Sequence, residues 1–191
     1  GAVGIVRPDE PDAVAVRPVR GVASQAIDVP MPDRQEDIVA RLEPGQPAPD
    51  FTLPSDSGED ITLSSLRGAP VVLYFYPKAM TSGCTTQACE YRDSAGEFAT
   101  AGATVLAISP DPVRRLEKFR DKEALTFPLL SDESHEVLEA YGVWVEKSMY
   151  GKTYMGVERS TFIVDAKGVI AHADYKVKAP GDAARALELL P

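Results

Sequence analysis

The sequence predicts a three-layer α/β domain built on a mixed β-sheet, and three observations carry that reading. Residues 71–76 (Val-Val-Leu-Tyr-Phe-Tyr) and 104–108 (Thr-Val-Leu-Ala-Ile) are short, nearly continuous runs of apolar, β-branched and aromatic residues. That is the pattern of strands buried on both faces. Helix-compatible stretches separate and follow them, and a strand–helix–strand order implies parallel pairing with right-handed crossovers. Near the end, 160–164 and 169–175 flank Asp165-Ala166-Lys167-Gly168, a hairpin signal that adds an antiparallel edge. Helices on both faces of such a sheet complete the three layers.

Taken in order, 51–53 and 61–63 read as short extended pieces around a turn containing Gly58. The strand at 71–76 follows. Residues 83–100 contain no proline and are open to a helix. The strand at 104–108 is closed by Ser109-Pro110. Over 112–124, Val113, Leu116 and Phe119 recur at helical spacing between charged residues. Residues 127–130 are a short strand candidate. The stretch 132–141 reads as a helix with Val137, Leu138 and Tyr141 on one face. Trp144 and Tyr150 follow a turn at Gly142, and packing is the simpler role for both. Residues 183–190 close the chain as a helix.

Composition sets the domain boundary. Eight of the 16 prolines lie in the first 50 residues (Pro8, Pro11, Pro18, Pro30, Pro32, Pro44, Pro47, Pro49). The same stretch has no Phe, Tyr, Trp, Lys or Cys, so it lacks the aromatics that anchor cores. Residues 1–42 are expected to be an extended or disordered arm, with 13–16 able to pair as a strand, and 43–191 the folded domain. The 191 residues carry 20 Lys plus Arg against 29 Asp plus Glu, a net charge of −9. An acidic chain without a basic run argues against nucleic-acid binding. No apolar stretch approaches the roughly 20 residues of a membrane helix. The opening residues lack a secretory-type apolar core, and two cysteines are too few for a disulfide scaffold. The chain reads as soluble and cytoplasmic.

In sheets of this kind sites gather past the carboxyl ends of strands, where helices begin. The segment there is Tyr76-Pro77-Lys78-Ala79-Met80-Thr81-Ser82-Gly83-Cys84-Thr85-Thr86-Gln87-Ala88-Cys89. A thiol in the first turn of a helix meets unpaired backbone N–H groups and the positive end of the helix dipole. Both favour thiolate over thiol. Thr81, three residues earlier, is able to set a hydroxyl beside the sulfur and a substrate oxygen. Two readings of Cys84 stand at this point: an activated nucleophile, or a buried structural cysteine.

Pro77-x-x-x-Thr81-x-x-Cys84, with Cys89 five residues on, resembles the active-site motif of the peroxiredoxins of the bacterioferritin-comigratory-protein or PrxQ type. The framing segments resemble it as well: Gly45-Gln46-Pro47-Ala48-Pro49-Asp50-Phe51-Thr52-Leu53-Pro54, then Val72 to Lys78, then Arg159-Ser160-Thr161-Phe162-Ile163-Val164-Asp165. Together they cover about residues 43–190. The resemblance implies a thioredoxin fold and thiol-dependent reduction of hydrogen peroxide and organic hydroperoxides, with no cofactor. It implies that Cys84 is the peroxidatic cysteine, Thr81 the hydroxyl that bonds the peroxide, and Pro77 the shield of the thiolate. It further implies that Arg159 is the distal arginine and Cys89 the resolving cysteine of an intramolecular disulfide. Thioredoxin or a similar dithiol is the implied reductant, and a monomer or weak dimer the implied state. Ala79 and Ser82 depart from the pattern, where members often have Asp and Pro; neither position carries a catalytic role.

The physics of the reaction agrees. Displacement at a peroxide oxygen develops negative charge, which a fixed guanidinium, a hydroxyl and backbone amides stabilise. The alternative on the same fold is a catalytically inert redox-sensing module. A dithiol–disulfide oxidoreductase is disfavoured, because the cysteines are not in Cys-x-x-Cys spacing. A metal site is disfavoured too: it needs three or four ligands, and His135 and His172 are the only histidines. His172 reads as a half-exposed strand residue and His135 as a solvated one. Asp111 reads as an N-cap or turn residue.

Overall fold

The protein is described by a computed structural model covering residues 41–191. Apart from its last two positions, the arm expected over 1–42, with its candidate strand at 13–16, lies outside the described residues. Those two positions are docked. The Arg41 guanidinium pairs with Glu158 at 2.8 Å and lies 4.3 Å from the centroid of the Tyr175 ring. The Leu42 amide donates to the Tyr175 hydroxyl at 2.9 Å.

The first elements among the described residues are a small antiparallel pair, β1 (Thr52–Pro54) and β2 (Asp60–Thr62), followed by a 3-10 turn at Leu63–Leu66. Among the described residues the central sheet holds five strands: β3 (Val71–Phe75), β4 (Thr104–Ser109), β5 (Leu129–Ser131), β8 (Ser160–Val164) and β9 (Ile170–Asp174). Their order across the sheet is β5-β4-β3-β8-β9. β3 and β4 run parallel, as do β4 and β5, while β8 is antiparallel to both β3 and β9. The predicted α/β class and mixed sheet are therefore what the chain forms.

β3 is buried throughout because both faces of the sheet are covered. Val71, Leu73 and Phe75 enter one apolar cluster, with Phe162, Tyr141 and Leu138. Val72, Tyr74 and Tyr76 enter the other, with Tyr91, Phe119 and Cys84. This is the two-residue alternation of a strand, with both sides apolar. It explains why the segment reads as a continuous apolar run rather than an alternating one. Tyr74 and Tyr91 stack with ring centroids 4.5 Å apart, which fixes the helix carrying Tyr91 against the sheet.

The helical elements are α1 (Ser82–Asp93), α2 (Ala95–Thr100), α3 (Val113–Glu123), α4 (Glu136–Ala140) and α5 (Asp182–Leu189). The single helix expected over 83–100 is two, broken at Ser94. The helix expected over 132–141 shrinks to α4, because Asp132 organises a turn first. Its carboxylate accepts the Leu138 amide at 2.8 Å, and His135 takes a left-handed φ of 67°. An antiparallel hairpin, β6 (Trp144–Met149) with β7 (Lys152–Val157), stands outside the central sheet and was not anticipated. Trp144 packs as expected, with its ring 3.9 Å from that of His135, so His135 is stacked rather than solvated. Tyr150 does not pack: it stands at the hairpin tip, 98% exposed. No helix among the described residues is long and apolar enough to cross a membrane.

Candidate active site

β3 delivers Tyr76 and Pro77 to the carboxyl edge of the sheet, and the chain turns there into α1. The turn is held from the neighbouring unit. Ala79 is fully buried, its amide donates to Asp111 Oδ2 at 2.8 Å, and its carbonyl accepts from Arg115 Nη2 at 2.8 Å. Asp111 is itself fixed by the Ser109 hydroxyl at 2.8 Å and by Arg115 at 3.2 Å. With both backbone groups of Ala79 clamped, Met80 is forced to φ 65°, a region that costs a side chain about 1 kcal/mol. Such a conformation persists only where its surroundings over-determine it. Asp111 is thus a clamp on the loop and not simply a cap or turn residue, and it holds the loop through the Ala79 backbone without needing Asp at position 79.

Thr81 is the N-cap of α1, so Cys84 is the third helical residue. The first intrahelical bond runs from the Thr85 amide to the Thr81 carbonyl at 2.9 Å. The amides of Ser82, Gly83 and Cys84 therefore precede the ladder and point out of the helix end. The Thr81 hydroxyl is exposed and donates to the Lys78 carbonyl at 2.7 Å, which leaves its oxygen as an acceptor. Pro77 is half-buried between β3 and this turn.

Cys84 is 2% exposed and packs in the Tyr74–Tyr76 cluster. Among the described residues its one hydrogen-bonding partner is a cation: Arg159 Nη2 donates to the sulfur at 3.3 Å. Arg159 stands immediately before β8, next to the strand that leads to the cysteine loop. Gly83 leaves room for the approach, since a Cβ at that position would stand 3.2 Å from Arg159 Nη2, a contact that would crowd the guanidinium by a few tenths of an ångström. The other guanidinium nitrogen, Nη1, donates to Gln87 Oε1 at 2.5 Å. Sequence and structure thus bring Cys84 and Arg159 together from positions 75 residues apart.

Cys89 lies on the same helix in different company. It is half-buried, and its thiol donates to Glu123 Oε2 at 3.4 Å, at the end of α3. Burial and then the Glu123 carboxylate push the Cys89 thiol above its ordinary pKa, outweighing the Arg92 cation nearby. Both cysteines are free thiols. Among the described residues, no group of three or more His, Cys, Asp and Glu side chains is placed to hold a metal.

Three participants were not singled out in the sequence. Gln87 is fully buried between Arg159 and Asp182. Asp182 is buried at the start of α5. Lys147, on the hairpin, feels the site electrostatically: burial and then the Arg159 cation press its ammonium below the ordinary lysine value. Only Gln87 was within the motif, and its burial has no periodic signature. Chemically, the site offers a nucleophile, a cation on it, a hydroxyl acceptor and a row of free amides.

Comparison with known proteins gives one picture. Residues 44–173 match the family model for the AhpC/TSA family. A putative peroxiredoxin of Mycobacterium tuberculosis is 55% identical over 145 residues, covering 76% of this chain and 92% of that protein. Peroxiredoxin Bcp of Escherichia coli is 51% identical over 137 residues, covering 71% and 88%. Among solved structures, peroxiredoxin Q of Xanthomonas campestris superposes with a TM-score of 0.71 at 39% identity, covering 73% of this chain and 89% of that one. A structure of the Xanthomonas bacterioferritin comigratory protein was solved to address its alkyl peroxide reduction activity (TM-score 0.70, 38% identity, covering 73% and 89%).

Proposed function

The chain belongs to the AhpC/TSA family and is a peroxiredoxin of the Bcp/PrxQ kind, and on that premise we propose that it reduces hydrogen peroxide and organic hydroperoxides with Cys84 as nucleophile and Cys89 as resolving thiol. The observation that carries the proposal is the 3.3 Å contact of Arg159 with a buried sulfur at the start of α1. A buried thiolate needs a counter-charge, and the guanidinium supplies it while keeping further N–H donors for a second group.

The thiolate of Cys84 attacks the terminal oxygen of the hydroperoxide. The S–O bond forms as the O–O bond breaks, and the departing alkoxide takes a proton to leave as alcohol, or as water from hydrogen peroxide. The sulfur is oxidised to a sulfenic acid. Arg159 and the free amides of α1 stabilise the charge that develops on oxygen. The Thr81 oxygen, with its own proton committed to Lys78, accepts a hydrogen bond from the protonated peroxide. The Cys89 thiolate then attacks the Cys84 sulfur. The S–S bond forms, the S–O bond breaks, and hydroxide leaves as water once protonated. An external dithiol of the thioredoxin type reduces the disulfide and is itself oxidised to one.

The test is peroxide-dependent oxidation of NADPH in the presence of thioredoxin and its reductase. Turnover with hydrogen peroxide and with an alkyl hydroperoxide is expected. Oxidation of Cys84 without turnover by any dithiol would favour the inert redox-sensing module instead.

A further inference from the structure

Asp182 lies 95 residues from Gln87 in sequence and is 2% exposed. Its Oδ2 accepts from three buried donors: Gln87 Nε2 at 3.0 Å, the Tyr91 hydroxyl at 2.8 Å and the Thr161 hydroxyl at 2.7 Å. Its Oδ1 accepts from Arg185 Nη2 at 2.9 Å, and Arg185 in turn reaches Asp174 at 3.6 Å. Three elements that do not follow one another, α1, β8 and α5, meet on this one carboxylate. A purely structural tie does not need one of these partners, Gln87, to be an amide that also bonds Arg159.

The chemistry of Gln87 is decided by what flanks it. A carboxylate offers only acceptors and a guanidinium only donors. The Gln87 amide nitrogen therefore has to face Asp182, and its carbonyl oxygen has to face Arg159. The orientation follows from the two neighbours alone, with no alternative flip. Replace the carboxylate by a group that also donates, and only the guanidinium still dictates the orientation: the Gln87 Nε2 end loses its obligatory acceptor and meets a donor in one of the two flips of the new group, which loosens the amide that holds Arg159.

We propose that Asp182 is a positioning residue for the peroxide chemistry, acting through Gln87 to hold the Arg159 guanidinium on Cys84. The proposal rests on the reading of Cys84 and Arg159 given above. The relay runs from the Asp182 carboxylate to the Gln87 amide, from the Gln87 carbonyl to Arg159 Nη1, and from Arg159 Nη2 to the sulfur. Its function is to spare the guanidinium a search among orientations before each attack.

The variant Asp182→Asn keeps the shape and removes the acceptor-only character. Charge and position then predict opposite signs. Losing a buried negative charge by itself favours the nearby thiolate. Losing the placement of Arg159 disfavours it. The expected result is a second-order rate constant for hydrogen peroxide lower by about tenfold, the scale of a charge-assisted hydrogen bond, with a smaller thiolate absorbance at neutral pH. In an Arg159→Ala background the same substitution should cost almost nothing more, because the two act in series. An equal loss in both backgrounds, or a larger thiolate absorbance with an unchanged rate, would overturn the proposal. An Arg159→Ala variant that itself reacts at the parent rate would instead overturn the reading beneath it. Should Asp182→Asn not fold, Asp182→Ser, which leaves room for water, is read against the same criteria.

Discussion

Two positions on α1 carry the same functional group in opposite electrostatic settings. At the amino end, Cys84 is buried against a guanidinium and beside amides with no helical partner. One and a half turns on, Cys89 is half-buried and donates to a carboxylate. A cation stabilises thiolate, and a carboxylate that accepts from the thiol stabilises the protonated form. In the proposed mechanism the thiol beside the cation attacks first, and the one on the carboxylate holds its proton until later. Residues five apart on a helix have Cα atoms roughly 8–9 Å apart on different sides of the axis. A disulfide needs them within about 7 Å. The setting that separates the two thiols electrostatically also separates them in space, and closing the bond requires α1 to open.

Removing the sulfur on either side breaks the contrast most severely. Cys84→Ser should abolish peroxide turnover, because the hydroxyl stays protonated at neutral pH. Turnover within tenfold of the parent would refute the assignment. Cys89→Ser should still consume one equivalent of peroxide and then stall with a dithiol reductant, which a comparison of single-turnover and steady-state rates reads directly. Next in size is the opening of α1. Amides of residues 84–93 should exchange about tenfold faster or more in the oxidised protein; equal exchange in both redox states would mean that the helix does not open for the bond.

Smaller changes sharpen the comparison by exchanging the charges. Arg159→Lys keeps the cation but not the planar fork that serves the sulfur and Gln87 together. A loss of about tenfold in the second-order rate is expected. Glu123→Gln works in the other direction. Because burial and then Glu123 raise the Cys89 pKa, disulfide formation should accelerate as pH rises, until that raised pKa is passed. The variant should move this rise to lower pH and speed resolution at neutral pH by about threefold, leaving the first oxidation unchanged. A resolution rate indifferent to position 123 would show that the carboxylate does not govern the waiting thiol.

What the sequence revealed and what it hid divide along the same physical line. β3 and β4 were legible because burial on both faces writes a continuous apolar run. Cys84 was legible because a loop entering a helix has a local signature. The hairpin β6–β7 was not, since its exposed residues, among them Met149, Tyr154 and Met155, carry no inside–outside alternation. The break at Ser94 was hidden because Ser94, Ala95 and Gly96 contain no proline to mark it. Asp111 read as a local cap or turn residue, but its decisive partner is an amide 32 residues away. Gln87 and Asp182 were invisible for the same reason: a buried polar pair bonded across 95 residues leaves no periodic trace.

The asymmetry of α1 is tested most directly by finding which sulfur is oxidised first. Reduced protein is given one equivalent of hydrogen peroxide at neutral pH in the presence of a sulfenic-acid trap, and the adduct is mapped by peptide mass spectrometry. The adduct is expected on Cys84 alone, with the untrapped remainder as the Cys84–Cys89 disulfide. An adduct on Cys89, or equal labelling of both sulfurs, would contradict the assignment of nucleophile and resolving thiol.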